Sequence, residues 1–187
     1  MIRSFLAIEL PRTILKKIEE VQGDLKRSHA DVRWVSPEKI HLTLKFFGNI
    51  DEVKIDPIVK SIEEPIQTTS PFHLVVRGVG AFPNLKNPRV IWMGLVGGVN
   101  ILSSFQKKVE TEFEKIGFQP EDRPFHPHLT LGRMKSGKGK EALLERMEKY
   151  NGEEFGDLFV ERVILFKSDL RPSGPVYTPL REIKLGD

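Results

Sequence analysis

Apolar positions along this chain recur with two periods, and the periods alternate. Ile14, Leu15, Ile18, Val21 and Leu25 repeat at three- and four-residue spacing, as do Leu102, Phe105, Val109, Phe113 and Ile116. That spacing lays an apolar stripe along one side of a helix. Runs of strand character lie around them, at 3–8, 41–48, 72–76, 90–93, 128–133 and 159–164. They are rich in β-branched and aromatic residues. A third helix, carrying Ala142, Leu143, Leu144 and Met147, follows Gly137-Lys138-Gly139. Asp56-Pro57 reads as an N-cap with proline at the first helical position, opening a helix through 58–62. Arg171-Pro172-Ser173-Gly174-Pro175 reads as a loop before a last strand, around Val176-Tyr177 or 181–185.

One tetrapeptide appears twice, as His41-Leu42-Thr43-Leu44 and His128-Leu129-Thr130-Leu131. In a strand, residues two apart share a face. His41 and Thr43 therefore point one way, with Leu42 and Leu44 behind them, and His128 and Thr130 do the same. Pro127 fits this reading, because proline is tolerated at a strand's first position. The copies are 87 positions apart, and the same offset maps Phe5 onto Trp92 and Phe72 onto Phe159. Each half reads strand, helix, His-Thr strand, helix, strand. The expected architecture is α+β and bilobed: two duplicated lobes about a pseudo-twofold axis, each an antiparallel-rich sheet with helices outside. The cleft between them carries both His-x-Thr faces. One bilobed domain should span 1–187, with repeats near 1–80 and 88–170, a turn-rich connector at 80–88, and a C-terminal strand region at 171–187.

Composition narrows the class. The 187 residues are 39% hydrophobic and 29% charged, which suits one globular domain. There is no cysteine, which excludes disulfides and thiolate metal sites. No apolar run approaches membrane-spanning length, and the start is too weakly apolar for a secretion signal. A cytoplasmic location with no membrane partner is the expectation. The net charge of +3 permits an anionic substrate without demanding nucleic acid.

A single histidine on a strand is ordinarily a packing or surface residue. Two His-x-Thr triplets at matching places in a duplicated chain are harder to explain that way. Opening a phosphodiester needs a base to take a proton and an acid to protonate the leaving oxygen. Histidine titrates near neutrality and can do either. A threonine hydroxyl two residues away can donate to a phosphoryl oxygen. Arg133 can add a fixed cation. Strict alternation puts Arg133 on the leucine face, so Gly132 would have to bulge or end the strand.

The spacing resembles the two-histidine (2H) phosphoesterases, and within them the LigT-like RNA 2′,3′-cyclic phosphodiesterases, also called 2′-5′ RNA ligases. The resemblance rests on the paired motifs, on the opening Arg3-Ser4-Phe5-Leu6-Ala7-Ile8, on Lys45-Phe46-Phe47-Gly48 after the first motif, and on Phe125-His126-Pro127 and Gly132-Arg133 around the second. The closing Leu165-Phe166-Lys167-Ser168-Asp169-Leu170 and Gly174-Pro175-Val176-Tyr177 also fit. It implies a bilobed fold, no metal or cofactor, and action on RNA ends carrying a 2′,3′-cyclic phosphate; a monomer is the expectation for the chain. It implies His41 as proton donor to the leaving 3′ oxygen, His128 as proton acceptor from water, and Thr43, Thr130 and Arg133 as phosphate ligands. The alternatives are 2′-5′ ligation, another cyclic nucleotide diester, or a non-catalytic module that binds RNA ends.

Two other motifs compete. The run 132–139 nearly matches a phosphate-binding loop, but Gly139 stands where the Mg²⁺-holding hydroxyl belongs. His126 and His128 could ligate a metal, yet no third ligand stands at a recognisable spacing. His29 and His73 carry no partner pattern and read as surface or packing residues. Trp34, Phe82 and Tyr177 are candidate stacking platforms for bases, with core packing as their ordinary role. Lys135, Lys138 and Lys140 read as a solvated basic loop that could also meet an RNA backbone.

Overall fold

A computed structural model describes residues 1–186, and among them are nine strands and five α-helices. β1 (Ile2–Ile8), β3 (Leu42–Ile50), β8 (Arg162–Arg171) and β9 (Gly174–Lys184) form one antiparallel sheet, ordered β3-β1-β8-β9. β2 (Val32–Trp34), β4 (Phe72–Phe82), β5 (Val90–Gly97), β6 (His128–Met134) and β7 (Glu154–Val160) form the other, ordered β2-β6-β5-β4-β7 and likewise antiparallel. The helices are α1 (Arg12–Lys26), α2 (Ile55–Ser61), α3 (Glu63–Gln67), α4 (Val99–Lys115) and α5 (Lys140–Glu148). This is the expected α+β architecture of two antiparallel sheets.

The stripes do what their spacing predicts. Ile14, Ile18, Val21 and Leu25 on α1 are each 3% exposed or less, and Leu102, Phe105, Val109 and Phe113 on α4 are 1% or less. Each such side chain contributes about 1.5–3 kcal/mol relative to an exposed one. The structure shows where each stripe goes, which periodicity could not. α1 follows β1 of the first sheet but packs under the second. Ile14 lies beneath Gly156 of β7, and Asp24 accepts from Arg146 of α5 at 2.5 Å and from the Tyr150 hydroxyl at 3.0 Å. α4 follows β5 of the second sheet but packs under the first, with Phe113 edge-on to Phe47 of β3 at 4.9 Å. The two halves are intertwined, each sheet backed by the other half's helix.

Strand membership crosses the halves as well. β4 lies in the second sheet, and His73 stands opposite Phe159 on neighbouring β7. The 87-residue offset treated these strands as equivalents, whereas β4 flanks β5 as β8 flanks β1. Phe159 and Ile164 fall in separate strands, β7 and β8, divided at Glu161. The segment 171–175 is a tight hairpin in which Arg171 pairs with Gly174, and β9 runs through both candidate last strands. α2 begins at Ile55 with Lys54 before it, so Asp56 is in the first turn rather than at the cap. Its carboxylate accepts from the Arg181 guanidinium at 3.0 Å.

Candidate active site

The two His-x-Thr segments lie on strands that flank the central pair in each sheet, and they turn their polar faces into one cleft of about 900 Å³. His41, Thr43, His128, Thr130 and Arg133 all line it. β3 begins at Leu42, immediately after His41, and β6 begins at His128, directly after Pro127. Leu42, Leu44, Leu129 and Leu131 are buried on the opposite face.

The imidazoles are held alike. His41 donates its Nδ1–H to the Lys39 carbonyl at 2.9 Å, and His128 donates its Nδ1–H to the His126 carbonyl at 2.6 Å. A carbonyl only accepts, so each bond places a proton on Nδ1 and leaves Nε2 as the exchanging position. Aromatic rings fix the planes. Phe5 stacks on His41 at 4.6 Å and Tyr177 meets it edge-on at 5.3 Å, while Phe82 meets His128 edge-on at 4.9 Å. Burial pushes both histidines below their ordinary value near 6.5, against the carbonyl bonds, which raise them. The Arg133 and His126 charges lower His128 further.

A matched irregularity follows each motif. Along β3, Thr43 pairs with Ala7 and Lys45 with Leu6, so Leu44 is an extra residue. Along β6, Thr130 pairs with Trp92 and Gly132 with Ile91, so Leu131 is the extra residue. Each bulge inverts the alternation beyond it. Arg133 therefore returns to the cleft face, where strict alternation had excluded it, and Phe46 does the same in the first sheet. The 87-residue offset holds through both bulges. It fails on the strands beside them, where Ala7, not Phe5, stands where Trp92 does.

Buried glutamines brace the bulges. Gln22 of α1 donates its side-chain amide to the carbonyls of Leu131 at 2.9 Å and Val35 at 2.7 Å. Gln106 of α4 reaches the Leu44 carbonyl at 3.3 Å. Beyond Leu44 the bulge turns Lys45 inward, where it pairs with Glu110 and donates to the Gln119 carbonyl at 2.6 Å.

The LigT like Phosphoesterase family model matches residues 8–92 and 98–177. The chain belongs to that family. An RNA 2′,3′-cyclic phosphodiesterase of Methanothermobacter thermautotrophicus is 37% identical over 98% of this chain and 99% of its own. One of Aquifex aeolicus is 33% identical over 100% and 98%. A crystal structure from Thermus thermophilus superposes with a TM-score of 0.81 at 28% identity, covering 99% of both chains. E. coli LigT complexed with 3′-AMP shares the fold, with a TM-score of 0.79 at 24% identity, covering 100% of this chain and 99% of that one.

This LigT-like cleft holds more than the motifs announced. Arg33, Lys39 and Arg171 line it beside Arg133, and among the described residues no aspartate or glutamate does. Phe46 is 51% exposed on its wall. Trp34 and Tyr177 also line it, whereas Phe82 packs against Trp92 and His128. Lys135, Lys138 and Lys140 take no part in the lining. Lys135 faces Asp31 at 3.7 Å, and Lys140 donates to the Lys86 carbonyl at 3.3 Å. The phosphate-loop match is divided, since Gly132 lies inside β6 and pairs with both neighbouring strands. His126 is exposed and, among the described residues, no group of three or more His, Cys, Asp or Glu is placed to hold a metal. His29 is an exposed turn residue with φ 53°, and exposed His73 packs on Phe159 at 4.7 Å. No helix among the described residues is long and apolar enough to cross a membrane.

Proposed function

We propose that this protein hydrolyses 2′,3′-cyclic phosphate ends of RNA to 2′-phosphates, as the names of its relatives suggest. The observation that carries this is the matched pair of Nδ1–carbonyl bonds, which leaves two Nε2 atoms to exchange protons in one carboxylate-free, cation-lined cleft. His128, neutral at Nε2, accepts a proton from water as the water oxygen bonds to phosphorus. The bond from phosphorus to the 3′ oxygen breaks, and His41, protonated at Nε2, gives its proton to that oxygen. The products are a 2′-phosphate monoester and a 3′ hydroxyl. Exchange with solvent returns both histidines to their starting states.

Thr43 and Thr130 donate hydroxyls to the non-bridging oxygens, and the Arg133 guanidinium stabilises the charge that develops on them. Both protons ride on side chains, so the chemistry calls for no cofactor. The enzyme works as a monomer in the cytoplasm, a compartment that suits an RNA substrate and a chain without cysteine.

Product analysis on a short oligonucleotide ending in a 2′,3′-cyclic phosphate tests the reading. A 2′-phosphate is expected. A 3′-phosphate would reverse the roles of the two oxygens, and tight binding without product would make the protein an RNA-end binding module. A joined 2′-5′ linkage with a 5′-hydroxyl acceptor would show the same site using that hydroxyl in place of water, with the 3′ oxygen again leaving.

A further inference from the structure

Arg33 and Arg133 are direct partners across the β2–β6 pair. Residues opposite one another in an antiparallel pair carry side chains on the same face, with Cβ atoms about 4.5–5.5 Å apart. Like charges so placed destabilise a sheet. Here both guanidiniums are exposed, both line the cleft, and neither has a carboxylate within 4 Å among the described residues. The packing presses the two strands together. A Cβ on Gly132 would lie 2.7 Å from Val32 Cγ1 and 3.1 Å from the Arg33 carbonyl oxygen. Glycine at that position is what lets β2 close on β6 and hold the two arginines side by side.

The reacting phosphate accounts for one of them. Arg133 acts electrostatically on His128 and stands on its strand. Arg33 stands one strand further out, about 4.8 Å away, on the edge strand of the sheet. A chain leaving the catalytic centre in that direction meets a second cation at the rim. We propose that Arg33 binds a second phosphate of the same RNA strand, the linkage immediately 5′ to the terminal nucleotide. This rests on the phosphodiesterase reading above, and it makes the substrate an oligonucleotide rather than a mononucleotide. It also accounts for a like-charge pair that does nothing for the fold.

The test compares a 2′,3′-cyclic mononucleotide with a dinucleotide bearing the same end, in wild type, Arg33→Gln and Arg33→Lys. The ratio of kcat/KM, dinucleotide over mononucleotide, should fall about tenfold in Arg33→Gln, the loss expected of one charge-assisted hydrogen bond. Arg33→Lys should keep part of that ratio. The salt dependence of dinucleotide kcat/KM should weaken by a log–log slope of about 0.7, one single-strand phosphate contact. The Tm of Arg33→Gln should rise, since a repulsion is relieved. An unchanged ratio, or equal loss on both substrates, would overturn the subsite, as would a lowered Tm. Kd values for the corresponding 2′-phosphate mono- and dinucleotides give the same ratio without turnover. A protein that fails to hydrolyse either substrate would therefore still report on Arg33, separately from the activity.

Discussion

Gln22, on the first helix, donates its side-chain amide to the carbonyl of Leu131, the residue at which the second His-Thr strand bulges. The contact spans 109 positions of sequence and joins the two intertwined halves. Gln106 and Leu44 repeat it in the other direction. Because the bulge decides which face Arg133 occupies, this buried amide helps set a cleft residue it does not touch.

Gln22→Leu should lower both stability and turnover. The substitution removes two amide hydrogen bonds: the Val35 carbonyl loses its donor, at about 1–3 kcal/mol, and the Leu131 carbonyl keeps only the Val35 N–H, at 2.9 Å. Urea unfolding should show that loss, and kcat should fall more than KM rises if Arg133 drifts from the reacting phosphate. Gln106→Leu, whose bond to Leu44 is longer at 3.3 Å, should cost less.

His41→Ala and His128→Ala should each reduce hydrolysis by about 10²–10⁴-fold, with little change in unfolding midpoint near pH 7.5. Because the two groups act in one step, the double mutant should lose far less than the product of the single losses. Near-wild-type rates in either single mutant would remove that histidine from the mechanism.

The pH profile of kcat/KM should be bell-shaped with its maximum on the acid side of the ordinary histidine value of 6.5. Burial lowers both groups, so the singly protonated pair of the free enzyme is most populated below that value. The two apparent values belong to the pair rather than to either residue. A bound phosphate anion raises both, so the kcat profile should lie at higher pH than that of kcat/KM. A maximum above pH 7.5 in kcat/KM would contradict this. Arg133→Gln should raise the His128 value seen by NMR titration, since the guanidinium pushes it down.

The same shifts predict a stability trend. Both histidines bind protons less readily folded than unfolded, so the unfolded chain gains protons first as pH falls. Their contribution is present above about 6.5, the unfolded value, and is lost as pH drops through the lowered folded values. Urea midpoints at pH 7.5 and 5.5 should differ in that direction, by less in the His41→Ala, His128→Ala double mutant.

Exhaustive chelation should leave turnover unchanged, because the two imidazoles already carry both protons. Activity that collapses and returns with Mg²⁺, Mn²⁺ or Zn²⁺ would shift the reading to metal chemistry at His126 and His128.

The architecture and the His-Thr faces were legible because each rests on local repetition, a period of two or of about 3.6 and a tetrapeptide used twice. The exchange of helices was not, because an apolar stripe specifies burial and not the sheet that provides it. The face of Arg133 was hidden for a related reason: the bulge at Leu131 is a property of strand pairing. A signal for the glutamines did exist. Gln22 falls four residues after Ile18, and Gln106 four after Leu102, so a polar residue interrupts each apolar stripe at a similar place. Arg33, Lys39 and Arg171 come from three separate segments, and only the fold brings them together. Phe46 could have been found by carrying the 87-residue offset from Arg133 back to the first copy.

That last equivalence gives the cleft a direction. Two histidines and two threonines related by a twofold axis would accept a diester equally well in either sense, and acid and base would be interchangeable labels. Phenylalanine at 46 and arginine at 133 occupy matching rims and share nothing chemically. At these two equivalent positions one motif presents a guanidinium and the other an aromatic ring, so a substrate whose two ends differ settles one way round. A device that is symmetric in its proton carriers thereby becomes a vectorial one, in which which histidine gives and which receives is decided by a residue that transfers no proton.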